Sequence, residues 1–101
     1  MRVRDLASAR AGDKGNTSNV VIVADDEAAY RRLEAWLTAD RVADRLAAFA
    51  EGPVTRYELP AVRALNFVIE GALAGGVTTS LRLDAHGKSL SFAVLGMAVE
   101  D

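Results

Sequence analysis

The sequence predicts an α/β (α+β) sandwich in which a mixed sheet of about four strands carries its helices on one face. Three observations lead there. Two strand-like segments near the N-terminus flank a polar, glycine-punctuated stretch; helical periodicity begins near residue 27; and strand, helix and strand patterns then alternate to the end of the chain.

Each element has its own signal. Arg2 to Arg10 reads as a strand with imperfect alternation, bulged near Asp5 and Leu6, and Asn19 to Ala24 reads as a more deeply buried strand, so the two form a hairpin. Asp25 or Asp26 is placed to cap a helix whose Ala29, Tyr30, Leu33, Trp36 and Leu37 recur at helical spacing, with Glu27, Arg31, Arg32 and Glu34 outward. Thr38, Ala39 and Asp40 begin a further helical stretch with Val42, Leu46, Phe49 and Ala50 on one stripe, stopped by Gly52 and Pro53; the two stretches can also be one kinked helix.

Val54 to Leu59 alternates as a half-buried strand ended by Pro60. Val62, Leu65, Ile69, Ala72 and Leu73 then fit a second amphipathic helix closing at Gly75 and Gly76, and Thr78 to Asp84 is the fourth strand. Leu90 to Val99 is mostly apolar and is read as a short buried helix in preference to a strand. A hairpin followed by this alternation places the architecture in the ferredoxin-like neighbourhood.

The 101 residues suffice for one core, so a single domain spanning residues 1–101 is expected. Half the residues are hydrophobic and 26% are charged, a soluble globular balance. A net charge of −2 supplies no basic field for polyanions, which sets nucleic-acid binding aside. With no cysteine there are neither disulfides nor thiolate metal sites. The absence of a signal-like apolar stretch or a membrane-length apolar run gives an expectation of a cytoplasmic protein without membrane contact.

Chemistry concentrates in Ala9-Arg10-Ala11-Gly12-Asp13-Lys14-Gly15-Asn16-Thr17-Ser18-Asn19, read as a loop between the first two strands. This run, with Leu65-Asn66-Phe67 leading to Gly71-Ala72-Leu73-Ala74-Gly75-Gly76 and then Ser80-Leu81-Arg82-Leu83-Asp84 and Gly87-Lys88, resembles the AtuA-like ferredoxin-fold domain. That domain also forms the C-terminal part of acyclic terpene utilisation AtuA proteins. The resemblance covers nearly the whole chain in order. Ala11 and Asn16 stand where serine and aspartate are frequent in the family, Ala74 interrupts a glycine run, and Thr79 replaces a frequent arginine. What the resemblance implies is a compact domain fused to, or encoded apart from, a larger AtuA-like region linked to terpenoid or acyl-CoA metabolism. The expected partners are therefore that larger protein and further copies of the chain in a homo-oligomer.

The candidate ligand-binding residues are Arg10, Gly12, Asp13, Lys14, Gly15, Asn16, Asn19 and Asn66. Glycines let backbone N–H groups approach an oxyanion, Lys14 adds a point charge, Arg10 can grip a carboxylate or phosphate with two bonds, and Thr17, Ser18 and Asn19 offer neutral hydrogen bonds. The bland alternative is a hairpin turn with Gly12 and Gly15 at positive φ, Asp13 capping the turn and Lys14 in solvent. The spacing is not that of a nucleotide-binding P-loop. On the second helix, Asn66 and Glu70 would share a face, and Gly71 would mark close packing. Arg82 is either solvated or paired with Glu58, and the single His86 has no partners at metal-ligand spacing. No cofactor and no metal are expected. The leading expectation is an accessory or ligand-binding domain working with a larger partner. The alternatives are a stand-alone enzyme on a small acyl or terpenoid substrate, with Asp13 or Lys14 moving a proton, and a structural oligomerisation module.

Overall fold

The computed structural model describes residues 1–14, 17–47, 52–71 and 88–99. A 3-10 turn at Val3–Asp5 leads into strand β1 (Ala7–Lys14), which pairs antiparallel with β2 (Thr17–Ala24). Helices α1 (Glu27–Trp36) and α2 (Ala39–Arg45) follow, then β3 (Val54–Leu59), a 3-10 turn at Pro60–Val62, β4 (Ala64–Glu70) and α3 (Lys88–Leu95). The sheet order is β1-β2-β4-β3.

Every described pairing is antiparallel, which corrects the expected mixed sheet. The reason is topological. β2 and β3 run in the same direction, as a strand-helix-strand crossover requires, but β4 lies between them and pairs antiparallel with both.

Two elements differ from expectation at the sequence level. The N-terminal strand does not begin at Arg2: its backbone N–H donates to Asp5 Oδ2 at 2.8 Å and Leu6 N donates to Val3 O, closing a 3-10 turn before β1 starts. The segment read as a second helix is β4. Leu65, Phe67 and Ile69 are all buried at alternate positions, and Leu65 and Ile69 fit a helical stripe equally well because a short apolar run satisfies both periods. Its start follows Arg63 in the left-handed region, φ 55°, and its end meets Gly71 at φ 76°, a conformation that glycine adopts without a Cβ penalty. Gly71 thus terminates a strand instead of packing inside a helix. Ala72 to Gly76, the expected strand Thr78 to Asp84 with Arg82, and His86 lie outside the described residues, as do Phe49 and Ala50.

The helices follow their local signals. Asp26 Oδ1 accepts from Ala29 N at 2.8 Å and Thr38 Oγ1 accepts from Arg41 N at 3.1 Å, so α1 and α2 are separately capped helices and not one kinked rod. The segment after Gly87 is helical over Lys88–Leu95, and the chain then returns to the N-terminus, where Arg2 and Ala98 form an isolated bridge.

Core burial fixes one side of the sheet. β2 alternates strictly, with Ser18, Val20, Ile22 and Ala24 buried, and Leu65, Phe67 and Ile69 of β4 join them. Leu33 and Leu37 from α1 and its C-cap, Val42 and Leu46 from α2 and its C-cap, and Leu90 and Val94 from α3 pack into the same cluster. Burial at roughly 25 cal/mol per Å² of apolar surface makes this layer the main source of stability. Arg56 ties the edge strand to the helices: its Nη1 donates to the carbonyls of Glu34 and Leu37 at 2.8 and 3.0 Å, satisfying the C-terminal end of α1, while Nη2 binds Glu58 at 2.7 Å. Glu58 is thereby held by Arg56.

Tyr30 gives a pH prediction. Its hydroxyl is buried without a hydrogen-bond partner among the described residues. Burial first, and then the carboxylates of Glu34 and Glu58, push its pKa above the ordinary value near 10, with Arg56 opposing. The neutral phenol is favoured in the folded state, so the contribution is intact below pH about 10 and is lost as pH rises from there through the folded value. Tyr30→Phe is expected to leave stability near neutral pH within about 1 kcal/mol of the parent, because no hydrogen bond is broken. It should also flatten the alkaline decline in urea midpoints between pH 9 and 11. A parallel decline in both proteins would refute the assignment.

Candidate binding face

The face of the sheet opposite the helices is set by the same alternation. Across it run two rows of directly paired residues: Arg10, Val21, Asn66 and Tyr57, and beside them Gly12, Asn19, Val68 and Thr55. A third row, Ser8, Val23, Ala64 and Leu59, borders them. No described helix packs there.

At the centre lies an amide pair. Asn19 Nδ2 donates to Asn66 Oδ1 at 3.2 Å, a diagonal contact between β2 and β4, since Asn19 stands directly opposite Val68. On the other flank, Gly12 stands opposite Asn19, and a Cβ added at Gly12 would come within 2.9 Å of Asn19 Oδ1. The absent Cβ leaves room beside β1 for the Asn19 amide that bonds to β4.

The polar stretch read as a loop is accordingly mostly hairpin. Lys14 pairs with Thr17, so only residues 15 and 16 separate the two strands; Gly15 and Asn16 lie outside the described residues. Strand propensity is a matter of context, and a cross-strand ladder accommodates Gly, Asp, Lys and Asn when the register is set elsewhere along the hairpin. Of the eight candidates, Arg10, Gly12, Asn19 and Asn66 share the open face. Asp13 pairs in register with Ser18. Asn66 and Glu70 still share a side, but as alternate positions of a strand and not as a helical turn.

Sequence reasoning missed the apolar part of this face. Val21, Val23 and Val68 are half-buried there, and Tyr57 and Leu59 are 53% and 42% exposed. The signal was present in β3, where Thr55, Tyr57 and Leu59 alternate with Val54, Arg56 and Glu58. The pattern misleads because the charged pair faces the helices, where Arg56 caps α1, while the aromatic faces out.

The chemistry available is recognition. Two amides retain donor and acceptor capacity after bonding each other, and neither titrates, so contacts made through them do not depend on pH. No acid–base pair is assembled around them among the described residues. A hollow of about 260 Å³ lined by Asp5, Leu6, Asp25, Asp26 and Arg32 lies elsewhere, near the start of α1. No helix among the described residues is long and apolar enough to cross a membrane.

An antiparallel four-stranded sheet with its helices on one side and an amide-centred open face on the other defines a ferredoxin-like α+β domain. The family model of the AtuA ferredoxin-like domain matches residues 1–100, and the chain belongs to that family. No curated protein and no solved structure matches it.

Proposed function

We propose that the chain is an accessory domain that docks through its open sheet face on a larger AtuA-like chain acting in cytoplasmic terpenoid or acyl-CoA metabolism. The observation that carries this reading is the composition of the face: valines with an outward Tyr57 and Leu59 around one half-buried amide pair. Apolar area with an exposed aromatic supplies affinity, and a central polar pair left with open hydrogen-bonding groups supplies register, because amides covered without partners would each cost about 1–3 kcal/mol. Arg10, Gly12, Asn19 and Asn66 are the contact set.

The test mixes the purified protein with a purified larger AtuA-like chain lacking this domain and follows the mixture by sedimentation velocity. A defined complex is expected, weakened by more than about tenfold in Tyr57→Glu, since an introduced carboxylate would be desolvated at the contact. Failure to form any complex, or a complex indifferent to Tyr57→Glu, would overturn the reading. A parent protein that forms only its own dimer would instead assign this face to a second copy.

A further inference from the structure

On the helix side, away from the open sheet face, a hollow of about 450 Å³ is lined by Trp36, Arg41, Asp44, Arg45, Met97 and Ala98. We propose that this hollow binds the oxyanion group of a small organic ligand, a carboxylate or a phosphate, between Arg41 and Arg45, with the ligand's apolar part against Trp36 and Met97.

Both guanidinium groups are positioned by contacts that leave hydrogen-bonding capacity unused. Arg41 lies over Trp36 with its guanidinium carbon 4.6 Å from the ring centroid, a cation–π contact that does not require its N–H donors. Arg45 donates from Nε to Ala93 O at 2.9 Å, which engages one of its five N–H groups. Gly96 makes room for it: an added Cβ there would stand 3.2 Å from Arg45 Nη2. Arg2 donates to the Gly96 carbonyl, so the end of α3 already has its own cation and does not require the remaining N–H groups of Arg45.

The charge balance points the same way. Arg41 and Arg45 are four residues apart on α2 and share a helix face, an arrangement that destabilises a helix by a few tenths of a kcal/mol. Asp44 is the single carboxylate among the lining residues, against two guanidiniums, in a chain whose net charge is −2. An oxyanion between the two arginines relieves their repulsion and matches their planar, paired donors. Beside the charged groups, half-buried Trp36 and buried Met97 provide apolar surface for the rest of the ligand.

Trp36 is the only tryptophan, so its emission and its indole N–H resonance report on this hollow without labelling. The intact protein is titrated with sodium phosphate and, separately, with sodium hexanoate, each against sodium chloride at equal ionic strength to remove screening effects. A saturable change is expected with at least one of them. It should weaken by about tenfold or more in Arg41→Gln, the loss of one charge-assisted hydrogen bond, and stay unchanged in Arg31→Gln, an exposed arginine of α1 outside the hollow. Saturation with phosphate alone assigns a phosphorylated ligand, and saturation with hexanoate a carboxylic acid. A response no different from chloride overturns the proposal, as does a saturable response that Arg41→Gln leaves intact. The α2 cap uses the backbone N–H of Arg41 and not its side chain, so the variant is expected to keep its fold; far-UV circular dichroism checks this. Should Arg41→Gln fail to fold, Arg41→Lys takes its place, with weaker binding expected from the loss of paired donors and equal binding overturning the proposal.

Discussion

Phe67→Ala is expected to lower the free energy of unfolding by about 3–5 kcal/mol. Phe67 is fully buried on β4, a central strand bonded to β2 on one side and β3 on the other, and it faces the helices at the middle of the core. It stands opposite Val20 on β2 and Arg56 on β3. Truncation removes the transfer free energy of the ring and leaves a cavity that paired strands on both sides prevent from collapsing. A domain of this size has a total stability of about 5–15 kcal/mol, so the variant should be marginal near room temperature. Urea denaturation followed by circular dichroism measures the change, and Phe67→Leu is the control, with an expected cost nearer about 1.5 kcal/mol because most of the volume is retained. A cost below about 1.5 kcal/mol for alanine would mean that the core is not centred on this strand.

Gly52→Ala should cost about 2–3 kcal/mol, although it adds only a methyl group. A Cβ at Gly52 would lie 2.2 Å from the carbonyl oxygen of Glu70 and 2.6 Å from its carbonyl carbon. Those are backbone atoms at the end of β4, so no rotamer change relieves the clash. The chain must move, and the next residue is where the loss will be seen: Glu70 N donates to Pro53 O at 3.1 Å, extending the β3–β4 ladder beyond Val54 and Ile69. Hydrogen exchange at the Glu70 amide should quicken together with the fall in urea midpoint. An alanine variant within about 0.5 kcal/mol of the parent would show that Gly52 is not pinned against β4.

Much of the fold was legible because local signals agreed with tertiary ones. Asp26 and Thr38 cap the helices they were expected to begin, Val54 to Leu59 is a strand, and the apolar segment after Gly87 is a helix over Lys88–Leu95. The reading failed where a short segment satisfied two periods. Leu65 and Ile69 suit a helix by spacing, and only the pairing of Phe67 with Val20 and Arg56 selects the strand. It also failed where polar composition was taken to mean a loop. Gly12, Asp13 and Asn19 are poor strand formers individually, yet Ala7 to Lys14 and Thr17 to Ala24 pair along their whole length.

The candidate site shows the same division. The polar residues that single out Arg10, Gly12, Asn19 and Asn66 are visible in the chain, but nothing in their spacing says that Asn19 reaches Asn66 across 47 residues, or that its amide lies beside Gly12.

By itself the sequence determined the class, the caps, the buried stripe of α1 and the family, because these depend on residue type and on spacings of a few positions. Only the tertiary structure decided that β4 enters between β2 and β3, that Arg56 closes α1, and that Tyr57 is outward beside the amide pair. Each of those outcomes rests on contacts between segments distant in the chain, and their free energy exceeds the local preferences that a sequence displays.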